Sequence, residues 1–237
     1  MGVRIAMPVL AAVLGVQAHA STLQISPVMV ELHADQPAAG VSLRNTGDKP
    51  LYGQVRVFAW TQTSAGDVLV PTQGVVASPP IVQIAPNADQ LVRLVRAAPG
   101  PVPAEQSYRL LIDEIPPADA APANGVQVRL RYSVPVFVGS AVPNVQPQLD
   151  WHLEKHDDAW FLRVENHGAR HAQIGALTLR NAAGESYAVS GGLFGYALAG
   201  TRREWRLPLK GGADLAGAIT IVARINGQPV TANVAHD

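Results

Sequence analysis

From Val126 to Val138 the chain reads VQVRLRYSVPVFV, and apolar residues alternate with mostly polar ones. Val126, Val128, Leu130, Tyr132, Val134 and Val136 share one parity; Gln127, Arg129, Arg131, Ser133 and Pro135 share the other. Period two predicts a strand with one apolar and one polar face. The run is longer than an ordinary strand. Pro135 cannot donate to a ladder, which favours a sheet edge or a strand end. A long edge with an apolar face is an aggregation hazard, and the same edge can add itself to the sheet of another chain. Lining an ordinary covered core is the other reading of the alternation.

Upstream, short β-type runs recur between turn signals, and helix patterning is nearly absent. The runs are Ile25 to Leu32 (interrupted by Pro27), Val41 to Arg44, Tyr52 to Thr61, Val75 to Ile84, Leu91 to Val95 and Tyr108 to Ile115. Pro79-Pro80 predicts that its run bends or changes partner. Asn45 to Pro50, Ala65-Gly66-Asp67 and Ala85 to Ala88 read as turns. With the long strand, this is the signature of an immunoglobulin-like β-sandwich. Pro116 to Gly125, PPADAAPANG, reads as a loop. Gly139 to Gln148, with Pro143 and Pro147, reads as a linker. Beyond it, Leu149 to Glu154, Trp160 to Glu165, Ile174 to Arg180, Arg203 to Leu207, Ala218 to Ile225 and Val230 to Val234 predict a second all-β unit. In that unit Asn226-Gly227 suits a type I′ hairpin.

Composition narrows the setting. Arg4, the apolar stretch Ile5 to Val16 and Ala18-His19-Ala20 predict an export signal cleaved after Ala20. The apolar stretch is too short to span a bilayer, and none later is long enough. The expected division is therefore 1–20 signal peptide, 21–141 first domain and 142–237 second domain. The chain has no cysteine, so an exported fold of this kind is held by its cores. Lys+Arg and Asp+Glu both number 18, which offers no general attraction to nucleic acid or anionic membrane.

Candidate chemistry is sparse. There is no Gly-x-Ser-x-Gly elbow, no thiol and no phosphate-cradling glycine loop before a helix. Asp113 and Glu114 are adjacent, so on a strand they face opposite ways and cannot form an acid/base pair. His152 and His156, like His167 and His171, are four apart. On one strand that spacing is about 13 Å, too far for a shared metal. No cysteine or clear carboxylate completes a ligand set. These histidines read as solvent-exposed. No catalytic residue, metal or cofactor is expected.

A group of segments resembles the periplasmic pilus-assembly chaperones, the PapD-like family. They are Val92-Arg93-Leu94, Ser107 to Leu110, Asp113 to Pro117, Pro79-Pro80 with Ile84-Ala85-Pro86, and Tyr132 to Phe137, the last in the form of divergent, non-classical branches. The resemblance runs strongly over Leu23 to Val138 and collinearly beyond. It implies two immunoglobulin-like domains set at an angle around a cleft, and a long strand lent to pilus subunits that lack their final strand. The donated side chains would be Val126, Val128, Leu130 and Tyr132, each contributing roughly 1.5–3 kcal/mol when buried. The resemblance also implies an interdomain charge cluster of Arg93, Glu105 and Asp214.

Two departures matter. The family uses basic residues to grip the terminal carboxylate of a bound subunit, and they align with Met29 and Pro135, neither of which binds an anion. Arg129, Arg131 and Arg109 are the candidate replacements. A domain-two disulfide known from some members is also absent. The implied activity is non-enzymatic: holding pilus subunits and delivering them to an outer-membrane usher in the periplasm. No nucleic acid or membrane insertion is expected, and self-capping as a homo-oligomer stands open. The alternative is a secreted β-sandwich module that binds carbohydrate or mediates adhesion; a β-rich hydrolase lacks its constellation.

Overall fold

The computed structural model describes residues 22–116, 129–209 and 213–236. The expected signal peptide, most of the Pro116 to Gly125 loop, Val126 and Val128 lie outside the described residues. The first half contains β1 (Leu23–Ser26), β2 (Val30–Leu32), β3 (Ala38–Asn45), β4 (Leu51–Thr63), β5 (Gly66–Pro71), β6 (Val75–Ser78), β7 (Ile81–Ile84), β8 (Asp89–Arg96), β9 (Gln106–Ile115) and β10 (Arg131–Val138). One sheet runs β1-β3-β8-β6; the other runs β2-β10-β9-β4-β5, with β7 also on β4. Pro27 separates β1 from β2, and Pro79-Pro80 separate β6 from β7. At both places the chain crosses from one sheet to the other, as a residue without an N–H donor favours.

Alternation builds the first core. Val41, Leu43, Val92 and Leu94 point inward from one sheet, and Val55, Leu110, Ile112, Val134 and Val136 from the other. The second half contains β11 (Leu149–His156), β12 (Ala159–Asn166), β13 (Ala172–Arg180), β14 (Ser186–Ala188), β15 (Leu193–Ala197), β16 (Arg202–Arg206), β17 (Thr220–Ile225), β18 (Gln228–Asn233) and β19 (Ala235–His236). Its sheets run β16-β12-β11-β19 and β14-β13-β17-β18, with β15 also on β13. Trp151, Leu153, Leu162, Leu177, Leu179 and Ile221 fill the second core. The protein is all-β, with two immunoglobulin-like sandwiches. Asn226 (φ 49°) and Gly227 (φ 80°) close the β17–β18 hairpin with both central residues left-handed, as a type I′ turn requires.

Several strands escape the sequence pattern, for physical reasons. β5 is exposed on both faces, so it carries no alternation of burial; the turn before it is Ser64-Ala65, and Gly66 and Asp67 already belong to the strand. β14 and β19 are three and two residues long, too short to show a period. β15 contains Gly195, where a Cβ would lie 2.8 Å from the Trp205 ring; the glycine lets the indole lie against the strand.

Each sandwich is clipped by a buried asparagine in an Asn-x-Gly turn. The Asn45 amide donates to Lys49 O (2.7 Å) and Ile84 O (3.0 Å), and its Oδ1 accepts from Gly47 N (2.9 Å). The Asn166 amide donates to Arg170 O (2.8 Å) and Ala197 O (3.0 Å), and its Oδ1 accepts from Gly168 N and Gln148 N. Both residues are essentially inaccessible to solvent.

The sandwiches meet along a specific polar seam. The Glu105 carboxylate accepts from the His171 backbone N–H (2.9 Å) and from its ring Nδ1 (2.8 Å), so Nδ1 carries the proton. The His171 ring stacks on Phe137, with centroids 3.6 Å apart and planes at 4°. Gln62 reaches across from β4. Its Nε2 donates to Tyr196 O (2.8 Å) and its Oε1 accepts from Leu198 N (2.9 Å) and Thr201 Oγ1 (3.2 Å). Ser64 O accepts from Glu204 N and Arg203 Nη1. Arg170–Glu31 (3.3 Å) also crosses, but in an exposed setting where such a pair adds little.

This corrects two expectations. The cluster of Arg93, Glu105 and Asp214 does not form. Val92, Leu94 and Arg96 take the inward positions of β8, so Arg93 points outward. The buried arginine of that strand is Arg96, which caps Ala34 O and Gly100 O. Asp214 is exposed, and its Oδ1 accepts from Ala216 N. Glu105 does cross the seam, but to His171. That histidine is buried rather than solvent-exposed, because the seam encloses it with its backbone N–H and its Nδ1 both paired.

Two outcomes follow. Asn166→Ala should lower unfolding stability by about 2–3 kcal/mol in urea, since it orphans buried carbonyl and N–H groups. Glu105→Ala should loosen the fixed relation of the sandwiches in small-angle scattering and cost about 2 kcal/mol, whereas Arg93→Ala and Asp214→Ala should stay within about 0.5 kcal/mol of the parent.

Candidate functional site

β10 supplies both parts of the candidate site. Along its whole length it pairs with β9, from Arg131↔Asp113 to Val138↔Gln106. On its other side β2 covers only Val136 to Val138. Among the described residues the edge from Arg131 to Pro135 has no strand partner. Pro135 sits where the open edge ends, a position where the missing N–H leaves no ladder donor unpaired. The inward parity of β10 starts in the core with Val138, Val136 and Val134. It continues with Tyr132, which packs against the core margin while its hydroxyl donates to Glu114 (3.1 Å). Leu130 comes next. It is only partly buried, and its carbonyl still accepts from Glu114 N (3.0 Å). The apolar row thus leaves its own core at Leu130, and in the sequence the same parity continues with Val128 and Val126.

The opposite parity of the same sheet forms a wall of the cleft between the sandwiches. Ser133 and Pro135 of β10, Arg109 of β9, Trp60 and Gln62 of β4, and Met29 line it from one side. Tyr196, Phe194, Trp205 and Arg203 line it from the other, around about 470 Å³ of space. Met29 and Pro135, the positions expected to be basic in the resemblance, do face this cleft. Arg109 is paired in register with Pro135 and carries the cation there.

The Arg109 guanidinium lies over Trp60, its Cζ 3.6 Å from the ring centroid, with the Tyr196 ring 5.4 Å away. Stacking of this kind holds a planar cation while leaving its edge donors free. Its side chain is 14% exposed, and its nearest carboxylate is Asp67 at 3.8 Å. Burial lowers the Arg109 pKa, with Asp67 and Tyr196 opposing the shift; it remains a cation. Arg203 lines the domain-two side, near Trp205 (5.5 Å) and bonded to Ser64 O. Among the described residues the buried Trp60 indole N–H has no hydrogen-bond partner.

The other two candidate arginines are not in the cleft. Arg131 is four positions from Pro135 on the same face, about 13 Å along the strand. It is ion-paired with Asp113, which Arg56 also binds at 2.6 Å. Burial would raise the Asp113 pKa, but the hydrogen bonds from Arg131 and Arg56 outweigh it and hold the carboxyl below its usual value. Arg129 is exposed and precedes β10. Of the three, only Arg109 is positioned to meet an anion in the cleft.

Trp60, Gln62, Asp67, Tyr196 and Arg203 do not stand out in the sequence. A signal for two of them is nevertheless present: Arg56, Phe58, Trp60 and Gln62 form one parity of β4, opposite Val55, Val57 and Ala59. Two aromatic rings on the non-core face of a sheet point to a second buried surface. Elsewhere, Glu154, His156 and Glu204 bring ligand atoms within 4.8 Å of one another. Arg163 already binds Glu154, so the group reads as an ion-pair network.

Comparison with known proteins places this geometry. No curated protein sequence matches the chain. Similar solved structures include a chain of the CsuC–CsuE chaperone–tip adhesion subunit pre-assembly complex from archaic chaperone-usher Csu pili of Acinetobacter baumannii. It is 24% identical, covers 92% of this chain and 100% of its own, and has a TM-score of 0.72. The YadV chaperone is 20% identical over 90% of this chain and 100% of its own, with a TM-score of 0.64. The Salmonella enterica SafA pilin–SafB chaperone complex is 15% identical over 92% and 98%, with a TM-score of 0.62. At these identities the likeness is one of fold. The family model for pili and flagellar-assembly chaperones, PapD N-terminal domain, matches residues 22–140, the span that holds the first sandwich, its open strand edge and the cleft wall behind it. The chain therefore belongs to the PapD family of pili and flagellar-assembly chaperones.

Proposed function

We propose that this protein is a periplasmic chaperone of pilus subunits and works by strand donation. Residues 1–20 act as its export signal, 21–141 and 142–237 form its two domains, and an outer-membrane usher receives its cargo. The observation that carries the reading is β10. Among the described residues its edge is uncovered from Arg131 to Pro135, its apolar row leaves the core through Tyr132 and Leu130, and in the sequence the same parity continues with Val128 and Val126. A pilus protein lacking a strand gains main-chain pairing along the edge and fills its groove with the alternate side chains. Each of these contributes roughly 1.5–3 kcal/mol when fully buried. The solved complexes of a chaperone with a tip adhesion subunit and with a pilin support the same partner class. Edge pairing between two copies is the corresponding route to self-capping.

Arg109 anchors the cargo's C-terminal carboxylate in this reading. It is a desolvated cation in the cleft, beside Met29 and Pro135 and on the non-core face of the sheet that carries the donor strand. The carbohydrate alternative gains little from the cleft aromatics, because Arg109 covers Trp60 while Phe194 and Trp205 pack on each other at 5.1 Å.

Leu130→Asp should keep the native circular-dichroism spectrum and lose the pilus subunits recovered with the parent from the periplasm. Unfolding of the variant would place Leu130 in the chaperone's own core and sink the donor reading. Arg109→Ala should weaken cargo binding by about 1.5–3 kcal/mol, the range of a charge-assisted hydrogen bond. An unchanged affinity by calorimetry would remove Arg109 from the site.

A further inference from the structure

We propose that Asp67 is a built-in counter-carboxylate of the cleft, which weakens the grip of Arg109 on an incoming carboxylate without occupying its donors. The inference rests on the reading of Arg109 as the anchor.

Its geometry is specific. Asp67 Oδ2 lies 3.8 Å from Arg109 Nη2, beyond hydrogen-bond range and within reach of charge attraction. Among the described residues the Arg109 guanidinium donates no hydrogen bond to protein. Its N–H groups remain free for a ligand while its charge is already partly balanced. Asp67 cannot simply swing away, because its Oδ1 accepts from Gln62 Nε2 at 2.9 Å. Gln62 in turn is bonded to Tyr196 and Leu198 in the other sandwich, so the seam that shapes the cleft also fixes this carboxylate.

The consequence is electrostatic. A cargo carboxylate that docks on Arg109 comes within several ångströms of Asp67. Repulsion between two like charges at that separation, in a partly desolvated cleft, amounts to roughly a three- to tenfold loss of affinity. Asp67 therefore sets a hold loose enough for cargo to leave, and it is the residue whose loss tightens binding. Arg109 is the ligand's partner; Asp67 tunes it.

The test uses two small probes, N-acetyl-L-phenylalanine and its carboxamide, titrated into the full mature chain and followed by the Trp60 indole and Arg109 side-chain NMR signals. The parent should bind the acid in preference to the amide. Asp67→Asn, which keeps an oxygen for Gln62, should tighten the acid about three- to tenfold and leave the amide unchanged; Asp67→Ser is the second variant should the first fold poorly. Equal affinity for acid and amide, or no binding of either, overturns the Arg109 anchor and this inference with it. Acid preference in the parent with no tightening in either Asp67 variant overturns the inference alone.

Discussion

Every side chain of β10 must point to one of two faces, and both faces are committed. One parity closes the first core with Val134, Val136 and Val138. The other gives the seam Phe137 and the cleft Ser133 and Pro135. A one-residue slip would exchange the two sets, burying Ser133 and exposing valine, so the register is strongly fixed. That fixed register also carries the chain out of the core through Tyr132 to the partly buried Leu130, and puts Arg109 beside Pro135.

The seam between the sandwiches depends on satisfied polar groups more than on apolar area. Glu105 with His171, and Gln62 with the Tyr196–Leu198 backbone, leave no buried donor or acceptor idle at those positions. Such groups are costly when separated and directional when joined. They set one relation between the two walls of the cleft. Within it Trp60 gives Arg109 a face to lie on, and Gln62 holds Asp67 near the guanidinium edge. The setting of Arg109 in the cleft is thus a product of the seam as much as of Arg109 itself.

Much of the fold is legible because burial writes itself as period two. Most strands of both cores, the interruption at Pro27, the bend or change of partner at Pro79-Pro80, and the Asn226-Gly227 turn follow from local pattern and backbone chemistry. β5 is not legible, since a strand exposed on both faces has no apolar period. Arg109 stands out only as one of three arginines, because distance along a strand from an unlocated cleft has no signature in composition.

The sequence by itself determined most of the core strands, which parity of each is apolar, and that the alternation of Val134 and Val136 continues upstream in sequence to Val126. These are local properties, set by side-chain volume, the missing proline N–H and the left-handed freedom of Asn and Gly. Only the tertiary structure decided that Glu105 meets His171 rather than Arg93 and Asp214, that Arg109 rather than Arg131 reaches the cleft, and that Asp67 stands beside it. Those pairings join residues tens of positions apart, and their choice depends on which sheet faces touch when the two sandwiches come together.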